Sequence, residues 1–100
     1  MRQRFVALMP DPVDPAMLDP ALSSAHLAYL QRHAARIRAA GGLRPPDGGA
    51  FCGALWVIEA TDADEARQLL DSDPYSVAGL WPNRQLWRWN HAPIQSKGWP

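Results

Sequence analysis

Two titratable side chains stand at spacings that could support chemistry, His26 and Asp73. His26 belongs to the series Leu22, His26, Tyr29, Leu30, His33 and Ile37, whose steps of three and four draw one face of a helix. Asp73 follows Leu69 and Leu70 by four and three residues, so it lies on or near the inward stripe of a second helix. A carboxylate set against an imidazole fixes its tautomer and raises its basicity, and the product is a general base near neutral pH. Tyr75, just beyond Asp73, is a candidate proton donor or ligand contact. Arg84 and Arg88, expected on the inner side of the last strand, could receive an anionic ligand. Each also fits a plain structural role. His26 reads equally as a satisfied core histidine, Asp73 as a helix cap, Tyr75 as a packed aromatic, and the arginines as charges on an edge strand.

Other chemistries lack their residues. His26 and His33 are seven apart on one helix, about 10 Å along its axis, and neither has a Cys or carboxylate at ligand spacing, so no metal site is expected. Gly41-Gly42 and Gly48-Gly49 lack the Lys-Ser/Thr that completes a phosphate loop. Ser23, Ser24, Ser72, Ser76 and Ser96 lack the glycine-flanked turn of a hydrolase nucleophile. Cys52 is alone in an apolar run and is expected to be a small buried residue. Trp56, Trp81, Trp87 and Trp89 are expected in the core or an interface.

The elements that must hold the pair follow from pattern and punctuation. Arg4–Met9 reads as a strand with Phe5, Ala7 and Met9 on one side and Val6 and Leu8 on the other, so both faces are apolar. Pro10–Pro20, with four prolines, is a loop. Asp19 as cap and Pro20 at the first helical position open a helix running to about Ile37. Arg36–Leu43 can finish that helix or form a short, weak strand, and Arg44–Gly49 is a turn. Ala50–Glu59 is the clearest strand, again apolar on both faces. Thr61 or Asp62 caps the second helix, whose first turn carries Asp64 and Glu65. Asp73-Pro74 repeats the cap device, and Gly79 suits a helix end. Trp81–His91 reads as the last strand, and 92–100 as a tail without periodicity.

The order β-α-(β)-β-α-β specifies an α+β, ferredoxin-like domain over residues 1–91, with two helices on one face of a four-stranded antiparallel sheet. Helices cover one sheet face only. The two-sided apolar strands therefore predict a homodimer of face-to-face sheets, a dimeric α/β-barrel. Lys plus Arg equals Asp plus Glu at ten each, so no general attraction to nucleic acid or anionic membranes is expected. No apolar run reaches the roughly 18 residues of a membrane span, and Phe5–Met9 is too short for a signal sequence, which predicts a cytoplasmic protein.

Ser24-Ala25-His26-Leu27-Ala28-Tyr29-Leu30, Gly41-Gly42, Gly53, Asp64-Glu65-Ala66 and Asp73-Pro74-Tyr75-Ser76-Val77-Ala78-Gly79-Leu80 together resemble the YciI-like (YCII-related) family over roughly Phe5–Trp89. The resemblance implies a dimeric ferredoxin-like fold and an active-site dyad at His26 and Asp73. It also implies a small enzyme without cofactor that moves protons in elimination, isomerisation or hydrolysis-type chemistry on a small metabolite of the aromatic or lactone type. One type of member removes chloride from a chlorinated hydroxyhydroquinone. The chain differs from the family pattern at Ala40-Gly41-Gly42-Leu43, where Pro often replaces Gly42, and at Arg84, where the family carries aliphatic residues. Ser23-Ser24 stand where Arg is common, so Ser23 is the candidate substrate contact there. The alternative is a non-catalytic dimeric module that binds a small molecule or a protein.

Overall fold

The computed structural model describes residues 2–94. The expected tail falls mostly on 95–100, outside the described residues. The chain runs β1 (Gln3–Met9), a single 3-10 turn (Pro15–Met17), α1 (Pro20–Arg32), β2 (Ile37–Leu43), β3 (Gly53–Ala60), α2 (Ala63–Asp71), α3 (Pro74–Val77) and β4 (Gln85–Arg88). The strands form one antiparallel sheet in the order β2-β3-β1-β4, the ferredoxin-like arrangement.

Three aspartates start the three helices. Asp19 accepts from the Leu22 amide at 2.7 Å, Asp62 from Glu65 at 2.9 Å and Asp73 from Tyr75 at 2.9 Å. Each satisfies an amide that the helix itself leaves free, worth about 0.5–2 kcal/mol. Proline follows Asp19 and Asp73 at the first helical position, where its missing N–H costs nothing. The α3 turn ends in a Schellman pair: Leu80 donates to the Tyr75 carbonyl and Gly79 to that of Ser76. Gly79 carries φ +82°, open to glycine but strained for other residues.

Strand register decides the two faces of the sheet. Phe5, Ala7 and Met9 pair with Ile58, Trp56 and Ala54, and all six are buried beneath the helices. Ala66 and Leu70 of α2 and Tyr29 of α1 close this core, joined by Leu80 and Trp81 after the α3 stop. Burying each of the larger side chains stabilises the fold by about 1.5–3 kcal/mol. Val6 and Leu8 pair with Val57 and Leu55 on the opposite face, which no helix covers. Trp87 lies beside Val6 there and is exposed.

Four expectations need correction. The first helix stops at Arg32, not Ile37; a tight turn at His33–Arg36 intervenes, and Ile37 begins β2 opposite Ile58. The ambiguous stretch is therefore a full seven-residue strand. Phe51 and Cys52 precede β3 rather than joining it, and Cys52 is exposed, with its thiol 3.5 Å from the Leu43 carbonyl. The last strand is only Gln85–Arg88, because Trp81 is drawn into the core and Pro82-Asn83 separate it from the sheet. Among the described residues no helix is long and apolar enough to cross a membrane.

Candidate active site

The helix periodicities converge on one point. His26 lies mid-way along α1, and Asp73 caps α3 directly after α2, and α1 packs against α3. His26 Nδ1 and Asp73 Oδ1 are 2.7 Å apart. Asp73 is fully buried, whereas the His26 side chain keeps 12% of its surface open. As a carboxylate, Asp73 offers acceptors only, so the shared proton sits on Nδ1 and Nδ1–H donates. Asp73 Oδ2 accepts from the Tyr75 amide, so both carboxylate oxygens are committed. Nε2 is left as the ring nitrogen available to a ligand.

The turn that carries Asp73 is itself fastened. Tyr29 donates its hydroxyl to the Leu69 carbonyl at 2.7 Å, and Ser76 donates to the Leu70 carbonyl at 2.7 Å. Two carbonyls at the end of α2 are thereby satisfied by side chains. Burial, and after it the Asp73 charge, push the Tyr29 hydroxyl above its usual 10.0, while Arg32 pulls the other way.

Aromatic rings hold the imidazole from its sides. Tyr75 stacks on His26 with centroids 3.9 Å apart and planes 10° from parallel. Trp81 stands edge-on to both, 5.7 Å from His26 and 5.4 Å from Tyr75, and touches Trp56 edge-on behind them. The Tyr75 hydroxyl donates to Ser23 Oγ at 2.8 Å. Ser23, His26, Asp73 and Tyr75 thus form one cluster.

The cluster opens on a cavity of about 330 Å³ between α1 and the β2 side of the sheet. That size lies at the small end of ligand pockets, roughly 300–1,000 Å³. Its walls are mostly apolar, with His26 and Tyr75 supplying polar groups, and among the described residues no acidic side chain lines it. Arg84 is not brought to this site. Its guanidinium binds Asp71 at 2.9 Å and the Trp81 carbonyl at 2.8 Å, on the outer side of the turn. Arg88 is exposed on β4. Among the described residues no three His, Cys, Asp or Glu side chains gather as a metal site would require.

Sequence reasoning did not assign the apolar wall residues to the site, Trp81 and Phe51 among them. The Gly79 stop held a signal for Leu80, the residue that a Schellman motif commonly packs back on its helix, and Trp81 follows it into the core. Phe51 lies after a turn and only tertiary packing brings it to the cavity.

The model of the YCII-related domain matches residues 4–90. The chain belongs to the YCII-related family. Among solved structures it is similar to 5-chloro-2-hydroxyhydroquinone dehydrochlorinase (TftG) from Burkholderia phenoliruptrix AC1100, solved in complex with 2,5-dihydroxybenzoquinone. The two share 26% identity at a TM-score of 0.68, over 89% of this chain and 95% of that one. A dimeric ferredoxin-like protein of unknown function from Thermobifida fusca YX shares 18% identity at a TM-score of 0.48, over 89% and 90% of the two chains. No curated protein matches the sequence. This YCII-related chain is therefore a small enzyme-like α+β protein.

Proposed function

We propose that this YCII-related protein is an enzyme in which His26, oriented by Asp73, moves a proton on a small ring-bearing substrate. The observation that carries the reading is the 2.7 Å contact between a fully buried carboxylate and an imidazole at a cavity wall. With Nδ1–H given to Asp73, the Nε2 lone pair takes a proton from the substrate. In an elimination, that proton leaves for His26 and the leaving group departs with its bonding pair, so no oxidant or reductant is consumed. In an isomerisation, His26 returns the proton to a second atom. Such steps need no resident cofactor. Ser23, through Tyr75, steadies the stacked ring beside the imidazole.

The similarity to the dehydrochlorinase makes halogenated, hydroxylated rings the first substrates to try. Chloride release by the wild-type protein from 5-chloro-2-hydroxyhydroquinone, lost in His26→Gln, supports the reading. Turnover that survives His26→Gln overturns it. A wild-type chain that binds such rings and leaves them unchanged favours the second reading, a small-molecule binding module.

Two copies pair through the open sheet face. Val6, Leu8, Leu55 and Trp87 present apolar surface there without cover from any helix. A second sheet packed on this face removes that surface from water in both copies. The balanced charge suits a protein that works in the cytoplasm on a small molecule.

A further inference from the structure

The far wall of the cavity is built by the connection between β2 and β3, and its geometry is unusual. Phe51 is 60% exposed, yet its ring is tightly seated. It lies so close over Gly42 that a Cβ there would come within 2.6 Å of the ring. Arg44 sits on the same ring, its guanidinium carbon 4.7 Å from the centroid. A large apolar side chain is thus held at a pocket mouth by a glycine on the strand and a cation beside it.

A cation stands beside that mouth. Arg44 has no carboxylate partner among the described residues, whereas Arg4, Arg36 and Arg84 are each paired with one. Asp47, in the same turn, directs its Oδ1 to the Gly49 amide. Among the described residues no acidic side chain lines the cavity, and Asp73 behind His26 is buried with both oxygens hydrogen-bonded. The lining offers a ligand apolar walls and one imidazole, and the Arg44 guanidinium, itself outside the lining, adjoins it through the Phe51 ring.

We propose that Phe51 and Arg44 form the specificity-determining end of the pocket and select a planar aromatic or quinonoid ring that carries an anionic substituent, a phenolate or a carboxylate. The ring seats between Phe51 and the His26–Trp81 wall, and the anionic group lies toward Arg44. The proposal rests on the proton-transfer reading only for which end of the ligand reacts; the selection itself is a statement about binding.

The test is isothermal titration calorimetry with two probes of similar size, 2,5-dihydroxybenzoquinone, which is ionised at neutral pH, and uncharged hydroquinone. The wild-type protein binds the ionised ring more tightly, and added salt weakens it. Arg44→Gln weakens the ionised ring by roughly fivefold, the scale of a partly exposed ion pair, and leaves hydroquinone within twofold. Arg44→Lys recovers part of the loss. Phe51→Ala weakens both probes. Gly42→Ala, which forces Phe51 from its seat, does the same while Arg44 is unchanged. Equal affinity of wild type and Arg44→Gln for the ionised ring overturns the proposal, as does wild-type binding that ignores ligand charge. The two readings fail separately. In an active preparation Arg44→Gln raises KM and spares kcat, whereas turnover that survives His26→Gln defeats the proton-transfer reading and leaves the binding result standing.

Discussion

Replacing Asp73 by asparagine separates the two jobs of that residue. The carboxylate accepts twice, from His26 Nδ1 at 2.7 Å and from the Tyr75 amide at 2.9 Å. Asparagine has one acceptor oxygen and one donor amide, so it can serve only one of these partners as before. The Tyr75 amide is a fixed donor, so the asparagine oxygen stays on it and the helix cap survives. The side-chain amide then faces Nδ1 and donates to it, which moves the imidazole proton to Nε2. A bond assisted by charge becomes a neutral one, at a cost of about 1 kcal/mol. For a domain of this size that lowers the melting temperature by roughly 4–8 °C. Catalysis suffers far more, because the nitrogen facing the cavity has lost its lone pair; a positioned general base contributes about 10²–10⁴-fold. Asp73→Ala loses the cap and strands Nδ1–H as well, together about 2–4 kcal/mol and a drop of at least roughly 10 °C. The assay pairs turnover at a temperature where each variant is folded with ¹⁵N NMR of the His26 ring. Turnover in Asp73→Asn within a few-fold of wild type, or an imidazole that keeps its proton on Nδ1, refutes the argument.

Three further outcomes are expected. Leu55→Glu, placed mid-face on the uncovered side of the sheet, turns a dimer into a monomer by sedimentation at micromolar concentration; a wild type that is already monomeric there defeats the pairing through this face. Gly79→Ala lowers stability by about 1–2 kcal/mol in urea titration, because its φ of +82° opposes a Cβ; an unchanged midpoint contradicts this. The raised Tyr29 hydroxyl keeps its proton longer in the folded chain than in the unfolded one, so its contribution to stability is complete below the usual value of 10.0 and fades as pH rises through the higher folded value. Melting curves of wild type therefore fall more steeply at alkaline pH than those of Tyr29→Phe, and parallel curves count against it.

The order of elements was legible because each start carries its own chemistry. Asp19-Pro20, Asp62 and Asp73-Pro74 mark helix starts where an apolar helical spacing or a capped turn follows, and Gly79 marks a stop. The end of the first helix carries no such mark. His33-Ala34-Ala35-Arg36-Ile37 contains neither glycine nor proline, and Ile37 keeps the helical spacing while lying in a strand. That strand, Ile-Arg-Ala-Ala-Gly-Gly-Leu, has weak intrinsic preference, and it forms because the β3 edge is there to pair with it. The same division runs through the site. Helical spacing turned His26 and Asp73 inward, and the two side chains meet. The stacking of Tyr75, the reach of Ser23 and the wall formed by Trp81 and Phe51 depend on crossings between distant segments, which no local spacing encodes. Arg84 shows the opposite error: placed on a strand by alternation, it lies ahead of β4 and is occupied by Asp71.

The edge-on contact of Trp81 with His26 also gives the protein an optical reporter of its own pocket. Trp81 and Trp56 adjoin each other behind the imidazole, while Trp87 is far out on the surface. A protonated imidazole quenches indole emission at contact distance, and a bound quinone quenches it more strongly. With Trp87, Trp89 and Trp99 changed to phenylalanine, the remaining emission reads the charge state of His26 and the filling of the cavity in one signal. Candidate ligands can then be screened by light alone, before any reaction has been identified.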